Sequence, residues 1–246
     1  MKTDKLSKQS KVLITGASGG IGSAIVKKFL EEGHEVYGID IVPFPVTEYF
    51  SSGSNVSAVN AENGAYTHFI ADVRYPETYP ADIEPEVLIN CAGVQCTEEN
   101  GINEDIDVNL KGAIRITEHF AVKNDKIRSV VNIASAAGHT GSEFPEYAAS
   151  KGGLITYTKN IALRLAPRAI ANSIDPGGVT TELNRTVMED PEMWERIMEL
   201  TPLKRWASPE EIAEWVYFVA VVNRFMTGQN LLIDGGEAGN CEFVWK

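Results

Sequence analysis

Cysteine and histidine are scarce in this sequence. The chain holds three cysteines, Cys91, Cys96 and Cys241, and four histidines among its 246 residues. None of the cysteines belongs to a CxxC pair, and an odd number of scattered thiols builds neither a disulfide framework nor a zinc site. We therefore expect no metal site, and thiols that are buried or incidental.

Positive charge is also in short supply. The sequence has 34 acidic residues against 22 Lys and Arg, a formal net charge of -12. Such a surface repels nucleic-acid phosphates and gains nothing from an anionic membrane. No apolar run is long enough to cross a bilayer, and the opening MKTDKLSKQS lacks the apolar core of a signal peptide. These features predict a cytoplasmic protein with no nucleic-acid or membrane partner, and a polar tail over residues 1–10.

Apolar runs of strand length alternate with segments of helical periodicity. Continuous Val, Ile and Leu runs are typical of strands covered on both faces, and hence of a parallel sheet with crossover helices. The strand candidates are 11–16, 34–40, 66–73, 86–93, 129–135, 169–177 and 230–236. The helix candidates are 21–33, 103–121, 145–166 and 208–222. The pattern predicts a single α/β domain over 11–246, doubly wound, with about seven parallel strands and helices on both faces.

Two connections are poor candidates for helices. The segment 41–65 has prolines at 43 and 45 and many Ser, Asn and Gly residues, and the segment 72–86 holds three prolines. Proline and small polar residues are typical of turns and loops. We therefore expect mostly surface loop with little helix over 41–65, and no full crossover helix over 72–86.

A glycine-rich turn, TGASGGIG at 15–22, joins the first predicted strand to the first helix. Glycines there permit positive φ and close approach to a pyrophosphate, and the helix N-terminus supplies amides. Such turns are common, so the pattern alone is weak evidence. Asp40 ends the second strand, where dinucleotide folds place an acid on the adenosine ribose hydroxyls; alone, it could be a solvated aspartate. Its charge would repel the 2′-phosphate of NADP, so NAD is the favoured cofactor.

A tyrosine and a lysine stand four residues apart in the predicted helix 145–166. Tyr147 and Lys151 therefore share one helix face, and an ammonium close to a phenol stabilises the phenolate that exchanges a proton with a substrate oxygen. Ser135, at a strand end, would project from the carboxyl edge of the sheet, where open α/β folds bind ligands. Taken separately, these residues are usually surface or structural groups. Their order along the chain favours a catalytic group.

Five motifs in order resemble those of the short-chain dehydrogenase/reductase family. The turn at 15–22 matches T-G-x-x-x-G-x-G, NCAG at 90–93 is similar to N-N-A-G, and YAASK at 147–151 matches Y-x-x-x-K. PGGVTT at 176–181 matches P-G-x-V-x-T, and TGQNLLIDGG at 227–236 looks like the closing strand. Ordered matches over more than 200 residues are far more specific than any single one. The resemblance implies a Rossmann-type fold and a nicotinamide-dependent oxidoreductase.

The resemblance also implies a role for each matching position. Tyr147 would be the general acid/base, and Lys151 would hold the nicotinamide ribose. Ser135 would position the substrate oxygen. Asn109 would hold a water of the proton relay; alternatively, it is a structural helix residue. The positions expected to bind the cofactor are Gly16, Ser18, Gly19, Gly20, Ile21, Gly22, Asp40, Asp72, Val73, Asn90, Ala92, Gly93, Tyr147, Lys151, Pro176, Gly177, Val179 and Thr181.

The sequence departs from the family pattern in a few places. The stretches 72–90 and 93–109 are shorter than is usual in the family, Cys91 replaces the second asparagine of N-N-A-G, and Asp175 stands where a serine is common. None of these changes removes a catalytic group. They bear more on oligomer contacts and on the width of the cleft.

The residues after Thr181 are expected to select the substrate. The segment 182–206 mixes apolar anchors with charges and would act as a lid, although its apolar residues could instead pack it onto the body. Three residues of the link between Ser135 and Tyr147 fall near the mouth of the cleft: His139, Glu143 and Phe144.

We expect an NAD-dependent enzyme that interconverts a secondary alcohol and a ketone or aldehyde. Its partner would be a small carbonyl or alcohol, and the resemblance implies a homodimer or homotetramer. The alternative enzyme is a 3-oxoacyl thioester reductase that acts on an acyl carrier protein. Lys204 and Arg205 leave this alternative open, because they could form a docking patch for an acidic carrier protein. A redox sensor without turnover would not need the proton relay, and a structural protein would leave the glycine turn unexplained.

Overall fold

A computed structural model describes residues 9–45, 58–61, 64–96, 102–141 and 144–240 of the chain. Its strands form one eight-stranded sheet in the order β3-β4-β2-β1-β5-β6-β7-β8. The strands are β1 (Lys11–Thr15), β2 (Glu35–Asp40), β3 (Ala58–Ala61), β4 (Gly64–Ile70), β5 (Val87–Asn90), β6 (Ser129–Ile133), β7 (Ile170–Pro176) and β8 (Asn230–Ile233). Most of the predicted tail, residues 1–8, lies outside the described residues, and Ser10 is already buried.

Seven of the eight strands are parallel, which confirms the predicted doubly wound α/β sheet. The additional strand, β3, pairs antiparallel with β4 at the sheet edge. It lies in the segment 41–65, for which mostly loop was expected, as do the first two residues of β4. Residues 46–57 and 62–63 of that segment lie outside the described residues. The short sequence AVNA has no strand signal of its own, and its pairing partner β4 supplies the hydrogen bonds.

Helices cover both faces of the sheet. They are α1 (Gly20–Glu31), α2 (102–122), α3 (Ala137–Thr140), α4 (Pro145–Leu165), α5 (Arg185–Met188), α6 (Pro191–Leu200) and α7 (Pro209–Tyr217). Within α2, α-helical turns at Ile102–Asp105 and Ala113–Thr117 alternate with π-helical turns at Ile106–Gly112 and Glu118–Val122. Another π-helical turn, Phe218–Val222, follows α7. The four helices predicted from the sequence are α1, α2, α4 and α7.

The two faces of the sheet have separate apolar layers. Alternate residues of a strand point to opposite faces. Val12 and Ile14 pack in the layer beneath α1 and α7, whereas Leu13 packs in the layer beneath α2 and α4. All three side chains are fully buried, which explains the unbroken apolar runs of the sequence.

The connection from β4 to β5 has no crossover helix. Its only helical piece is the 3-10 turn Pro76–Thr78, as the three prolines of the segment 72–86 predicted. Within the part of the chain that the structure describes, no helix is long and apolar enough to cross a membrane.

A capping box starts α7. The Ser208 hydroxyl accepts a hydrogen bond from the Glu211 backbone N–H at 3.2 Å, and the Glu211 carboxylate accepts one from the Ser208 N–H at 2.9 Å. Arg205 also pairs with Glu211, and this side-chain hydrogen bond, together with the Ser208 N–H, lowers the pKa of Glu211 to about 2. Because α7 packs in the same layer as α1, this cap stabilises the glycine-turn side of the sheet.

We expect Ser208→Ala to lower the free energy of unfolding by about 1 kcal/mol, because it removes the acceptor for an otherwise unpaired helix amide. Denaturant titration measures the change. Ser208→Thr retains the hydroxyl and serves as the control. Equal stability of the Ala and Thr variants would contradict the role of the cap.

Candidate active site

The glycine turn between β1 and α1 is closely packed. Gly16 has a φ of +66°, and a Cβ there would lie 2.6 Å from Ala92 Cα. A Cβ on Gly22 would lie 1.9 Å from the Gly16 carbonyl oxygen, and one on Gly20 would lie 2.8 Å from Thr181 Cγ2. Backbone atoms at Gly16 and Gly22, and the Thr181 side chain at Gly20, therefore fill the space that a Cβ would need. The turn brings three predicted cofactor segments, at 16–22, Ala92 and Thr181, into contact.

The first turn of α1 fits the diphosphate of a dinucleotide. Gly19, which precedes the helix, gives no side-chain cap to its first amides. Uncapped amides at a helix N-terminus, together with the helix dipole, bind anions. Ser18 and Ile21 lie in the same turn, as the motif predicted. The residues present here therefore suit the phosphates of a nicotinamide dinucleotide.

Asp40 ends β2 beside this turn. Its carboxylate accepts hydrogen bonds from the backbone N–H groups of Ser18, at 3.0 Å, and Val42, at 3.2 Å. The Ser18 hydroxyl in turn donates to the Val42 carbonyl at 3.1 Å. Each carboxylate oxygen retains a free lone pair, so the fixed carboxylate can still accept from a ribose hydroxyl. Ile41 and Val42 present exposed apolar side chains beside it.

At the predicted adenine end, Asp72 already has a partner. Arg74 donates to both carboxylate oxygens at 2.7 to 3.0 Å, and this side-chain hydrogen bond lowers the pKa of Asp72. Val73 is buried, and its carbonyl accepts from the Tyr79 hydroxyl at 2.6 Å. The sequence analysis missed Arg74, whose only signal was its position two residues after the aspartate. An adenine contact by Asp72 stays a prediction.

The ends of β1 and β5 are joined by side chains. The Thr15 hydroxyl accepts from the backbone N–H groups of Cys91 and Ala92, at 3.2 Å each. The Asn90 amide donates to Thr117 at 2.9 Å and to Asn132 at 2.8 Å, and it is buried. Asn90 thus supports the strand end from within the protein.

Cys91, which departs from the family motif, is unsuited to nucleophilic chemistry. Burial raises the pKa of its thiol to about 12, so the thiol is protonated at neutral pH. Cys241 lies outside the described residues. Cys91 is half-buried and forms no disulfide, and its incidental role stays a prediction.

Lys151 joins α4 to the end of β6. Its side chain is only 4% exposed, and its ammonium donates to the Ile133 carbonyl at 3.0 Å. The ammonium also lies 5.6 Å from the centroid of the Tyr147 ring, within the same helix. A Cβ on Gly93 would lie 3.3 Å from this nitrogen, so the fourth residue of the N-C-A-G turn must be small. The structure thus brings Tyr147, Lys151 and Gly93 together.

Asn109 lies in the π-helical turn Ile106–Gly112 of α2. Its side-chain amide accepts from the Val94 N–H at 2.8 Å and donates to the Val94 carbonyl at 2.9 Å and to the Ser150 hydroxyl at 3.0 Å. These bonds tie α2 to the loop after β5 and to α4. These bonds fit the alternative interpretation of Asn109, a structural helix residue. The relay role of Asn109 stays a prediction.

Ser135 follows β6 in a turn that is held from two sides. Its hydroxyl accepts from the Ala137 N–H at 3.2 Å, and the Ala136 N–H donates to the Pro176 carbonyl at 2.8 Å. A Cβ on Gly138 would lie 2.8 Å from the Gly152 nitrogen, so α3 packs directly on the backbone of α4. The serine turn is therefore fixed beside the helix that carries Tyr147 and Lys151.

The loop after β7 packs against the end of the segment 182–206. A Cβ on Gly178 would lie 2.0 Å from the Trp206 ring, so only glycine accommodates the indole. The Ala207 N–H donates to the Gly178 carbonyl at 3.1 Å, and the Thr180 N–H donates to the Ala207 carbonyl at 2.9 Å. Val179 is buried between them.

The segment 182–206 itself contains the 3-10 turn Glu182–Asn184 and helices α5 and α6, in which no residue is fully buried. The Trp194 ring meets the Trp206 ring edge to face, with centroids 4.9 Å apart. His139 lies in α3, and Phe144 precedes α4, whereas Glu143 lies outside the described residues. A lid function for this segment stays a prediction.

This arrangement is that of a dinucleotide-binding α/β oxidoreductase. Residues 16–237 match the family described as enoyl-(acyl carrier protein) reductase. The chain belongs to the short-chain dehydrogenase/reductase family, which confirms the resemblance seen in its motifs, and a nicotinamide cofactor follows from that membership.

Two curated relatives extend over nearly the whole chain. An uncharacterized oxidoreductase of Schizosaccharomyces pombe is 35% identical, with 93% of this chain and 91% of that protein covered. The 3-oxoacyl-[acyl-carrier-protein] reductase FabG of Aquifex aeolicus is 31% identical, with 93% and 97% covered.

Solved structures agree with the fold. A 4-hydroxyisoleucine dehydrogenase complexed with NADH superposes with a TM-score of 0.82 at 28% identity, covering 95% of this chain and 100% of the other. A putative 2-deoxy-D-gluconate 3-dehydrogenase of Agrobacterium tumefaciens with bound NADP gives 0.82 at 27% identity, with 96% and 98% covered. Neighbours of equal similarity thus carry either nicotinamide cofactor.

The glycine turn generates a stability prediction. Gly22→Ala places a methyl group 1.9 Å from a backbone oxygen, whereas Gly19→Ala meets nothing closer than 3.4 Å. We expect the first variant to lose about 1–3 kcal/mol of unfolding free energy, because the backbone must shift to accept the methyl group. The second should lose less than about 0.5 kcal/mol. Denaturant titration of both proteins, without cofactor, checks this, and equal losses would contradict the packing described.

Proposed function

We propose that the protein is an NAD-dependent dehydrogenase/reductase that interconverts a secondary alcohol and a ketone or aldehyde. The observation that carries this proposal is the placement of the buried Lys151 ammonium, bonded to the Ile133 carbonyl and 5.6 Å from the Tyr147 ring. The ammonium and the phenol therefore share one face of α4, where both can reach a common ligand. A phenol that can lose and regain its proton beside a nucleotide cleft is the group that alcohol oxidation requires.

The protein residues handle the proton and the orientation of the substrate. In the oxidative direction, the substrate hydroxyl loses its proton to the Tyr147 phenolate, and the carbon–oxygen bond becomes a double bond as the carbinol carbon loses a hydride. A bound NAD⁺ supplies the hydride acceptor, which yields NADH, the carbonyl product and one proton released to solvent. The Ser135 hydroxyl would hold the reacting oxygen. Reduction is the same sequence in reverse.

The preference for NAD rests on the charge of Asp40. Its carboxylate is fixed by the amides of Ser18 and Val42, and no Lys or Arg occurs in the glycine turn or between residues 41 and 50. A 2′-phosphate placed against this carboxylate would be repelled without a neighbouring cation to offset it.

The 3-oxoacyl thioester reductase is the second candidate, because the FabG relative carries that activity in its name at 31% identity. Two exposed cations, Lys204 and Arg205, end the lid segment, but Arg205 is already paired with Glu211 at 2.7 Å. The wider surface is acidic, which does not favour docking of an acidic carrier protein. We therefore place the small alcohol first, and with it we propose a homodimer or homotetramer in the cytoplasm.

Removal of the Tyr147 hydroxyl tests the reaction. We expect Tyr147→Phe to lower kcat by about 10²–10⁴-fold, because the proton has no donor or acceptor, while NADH affinity stays nearly unchanged. A panel of alcohols with NAD and carbonyls with NADH measures turnover, and fluorescence titration measures binding. Tyr157→Phe is the matched control, since this tyrosine lies about 15 Å further along α4.

The outcomes separate the alternatives. A Tyr147→Phe protein that retains most of its activity would refute the acid/base role. A wild-type protein that binds NADH yet turns over no compound of a broad panel would favour the redox sensor. Faster turnover of 3-oxoacyl thioesters than of small carbonyls would favour the reductase.

Cofactor preference has its own measurement. We expect NADH to bind at least about tenfold more tightly than NADPH, because the carboxylate of Asp40 repels the additional phosphate. Asp40→Asn keeps the shape of the side chain and should bring the two affinities within about threefold. Glu31→Gln, an equal neutralisation at the far end of α1, should leave the preference unchanged. Equal affinities in the wild-type protein would remove this role of Asp40.

A further inference from the structure

A histidine and a buried aspartate form a pair that the proposed reaction does not use. His139 Nε2 lies 2.6 Å from Asp175 Oδ2. The Asp175 side chain is fully buried, whereas the His139 side chain is 31% exposed. Asp175 is the penultimate residue of β7, and His139 lies in α3. The pair therefore has one member inside the protein and one at its surface.

The Asp175 carboxylate has few partners. Burial raises the pKa of this carboxyl, while hydrogen bonds with Ser173 and His139 and the charge of Lys151 lower it. Its second oxygen, Oδ1, is buried with no hydrogen-bond partner among the described residues. A carboxylate in such a place costs free energy that a simple strand residue would avoid. The contact with the His139 imidazole offsets part of this cost.

The pair lies next to the catalytic residues. The Gly138 N–H donates to the Ser135 carbonyl at 3.0 Å, which closes one turn between Ser135 and His139. His139 therefore lies one turn along the chain from Ser135. Asp175 directly precedes Pro176, whose carbonyl accepts from the Ala136 N–H. His139 is thus held between the serine turn and the loop predicted to frame the nicotinamide.

The contact with Asp175 decides what the exposed edge of the imidazole can do. In neutral histidine one ring nitrogen donates and the other accepts. If the carboxylate accepts the Nε2–H, Nδ1 is left as an acceptor. No described residue donates to Nδ1. An acceptor beside Ser135 suits an O–H donor on the substrate.

We propose that His139, oriented by Asp175, determines specificity by accepting a hydrogen bond from a second substrate hydroxyl, next to the carbon that reacts. The inference rests on the proposed function and narrows its substrate to vicinal diols and the corresponding α-hydroxyketones. A 3-oxoacyl thioester carries methylene groups, and no hydroxyl, next to its reacting carbon, so it would not satisfy Nδ1. Asp175 is a positioning residue in this scheme, because it acts through the imidazole.

Matched substrates test the proposal. The kcat/KM values of cis-1,2-cyclohexanediol and cyclohexanol with NAD, and of 2-hydroxycyclohexanone and cyclohexanone with NADH, are measured for each protein. We expect His139→Gln to lower the value for the hydroxylated substrate about tenfold more than that for its partner, because the glutamine amide keeps the contact with Asp175 but loses the Nδ1 acceptor. Asp175→Asn should act in the same direction, since its amide can donate to Nε2 and turn Nδ1 into a donor.

His119→Gln is the control, because it makes the same change at a histidine that packs on Tyr79 and Phe120. Thermal unfolding and NADH titration check that each variant is folded. A second measurement, ¹⁵N NMR of the four histidines in the presence of NADH, does not require turnover. The His139 resonances are assigned by their loss in His139→Gln. We expect the Nδ1 resonance of His139 to shift with 2-hydroxycyclohexanone and not with cyclohexanone.

Each outcome separates the two proposals. If the wild-type enzyme turns over both members of a pair and His139→Gln lowers both equally, the histidine is structural and the specificity proposal fails while the reaction stands. If no compound is turned over, the proposed reaction fails for this panel, and the NMR shift alone decides the hydroxyl contact. If the chemical shift of Nδ1 does not change when 2-hydroxycyclohexanone is added, the inference is overturned.

Discussion

The hydrogen bond from the Lys151 ammonium to the Ile133 carbonyl is the interaction on which the site depends. An ammonium that is 4% exposed must find a strong acceptor within the protein, and the end of β6 provides it. That bond sets the position of α4 against the sheet and brings the charge to the Tyr147 ring. Gly93 leaves the necessary space, since any side chain there would approach the ammonium. The motifs Y-x-x-x-K and N-C-A-G therefore meet in one contact, to which the first supplies Lys151 and the second Gly93.

Much of the fold was predictable because it depends on local patterns. Val12, Leu13 and Ile14 are all apolar because successive residues face the two apolar layers on opposite sides of the sheet. This one apolar run of the sequence therefore predicted that both faces of the sheet are covered. The helix starting at Pro209 was equally visible, since its cap and first-turn acids are adjacent in the sequence. The site followed from the order of the motifs, because parallel strands bring their carboxyl ends to one edge. The catalytic roles themselves stay predictions.

The features that the sequence did not reveal depend on contacts between distant residues. The strand Ala58–Ala61 exists through its pairing with β4, and the π-helical turn around Asn109 forms where its amide meets the backbone of Val94. Arg74 occupies Asp72 because a tight turn folds it back. None of these partners is marked by residue type alone. A sequence pattern identifies candidate site residues. The packing of the folded chain determines which of their hydrogen-bonding atoms remain able to bind a ligand.

The contact between Gly178 and Trp206 has a consequence for motion. The indole rests on bare backbone, and two backbone hydrogen bonds join residues 178–180 to Ala207 beside it. These contacts attach the carboxyl-terminal end of the segment 182–206 to the loop that follows β7. We therefore expect no hinge at this end. If helices α5 and α6 move, their hinge must therefore lie before Trp206 in the chain. In such a movement the Trp194 ring would change its contact with the Trp206 ring, which stays in place.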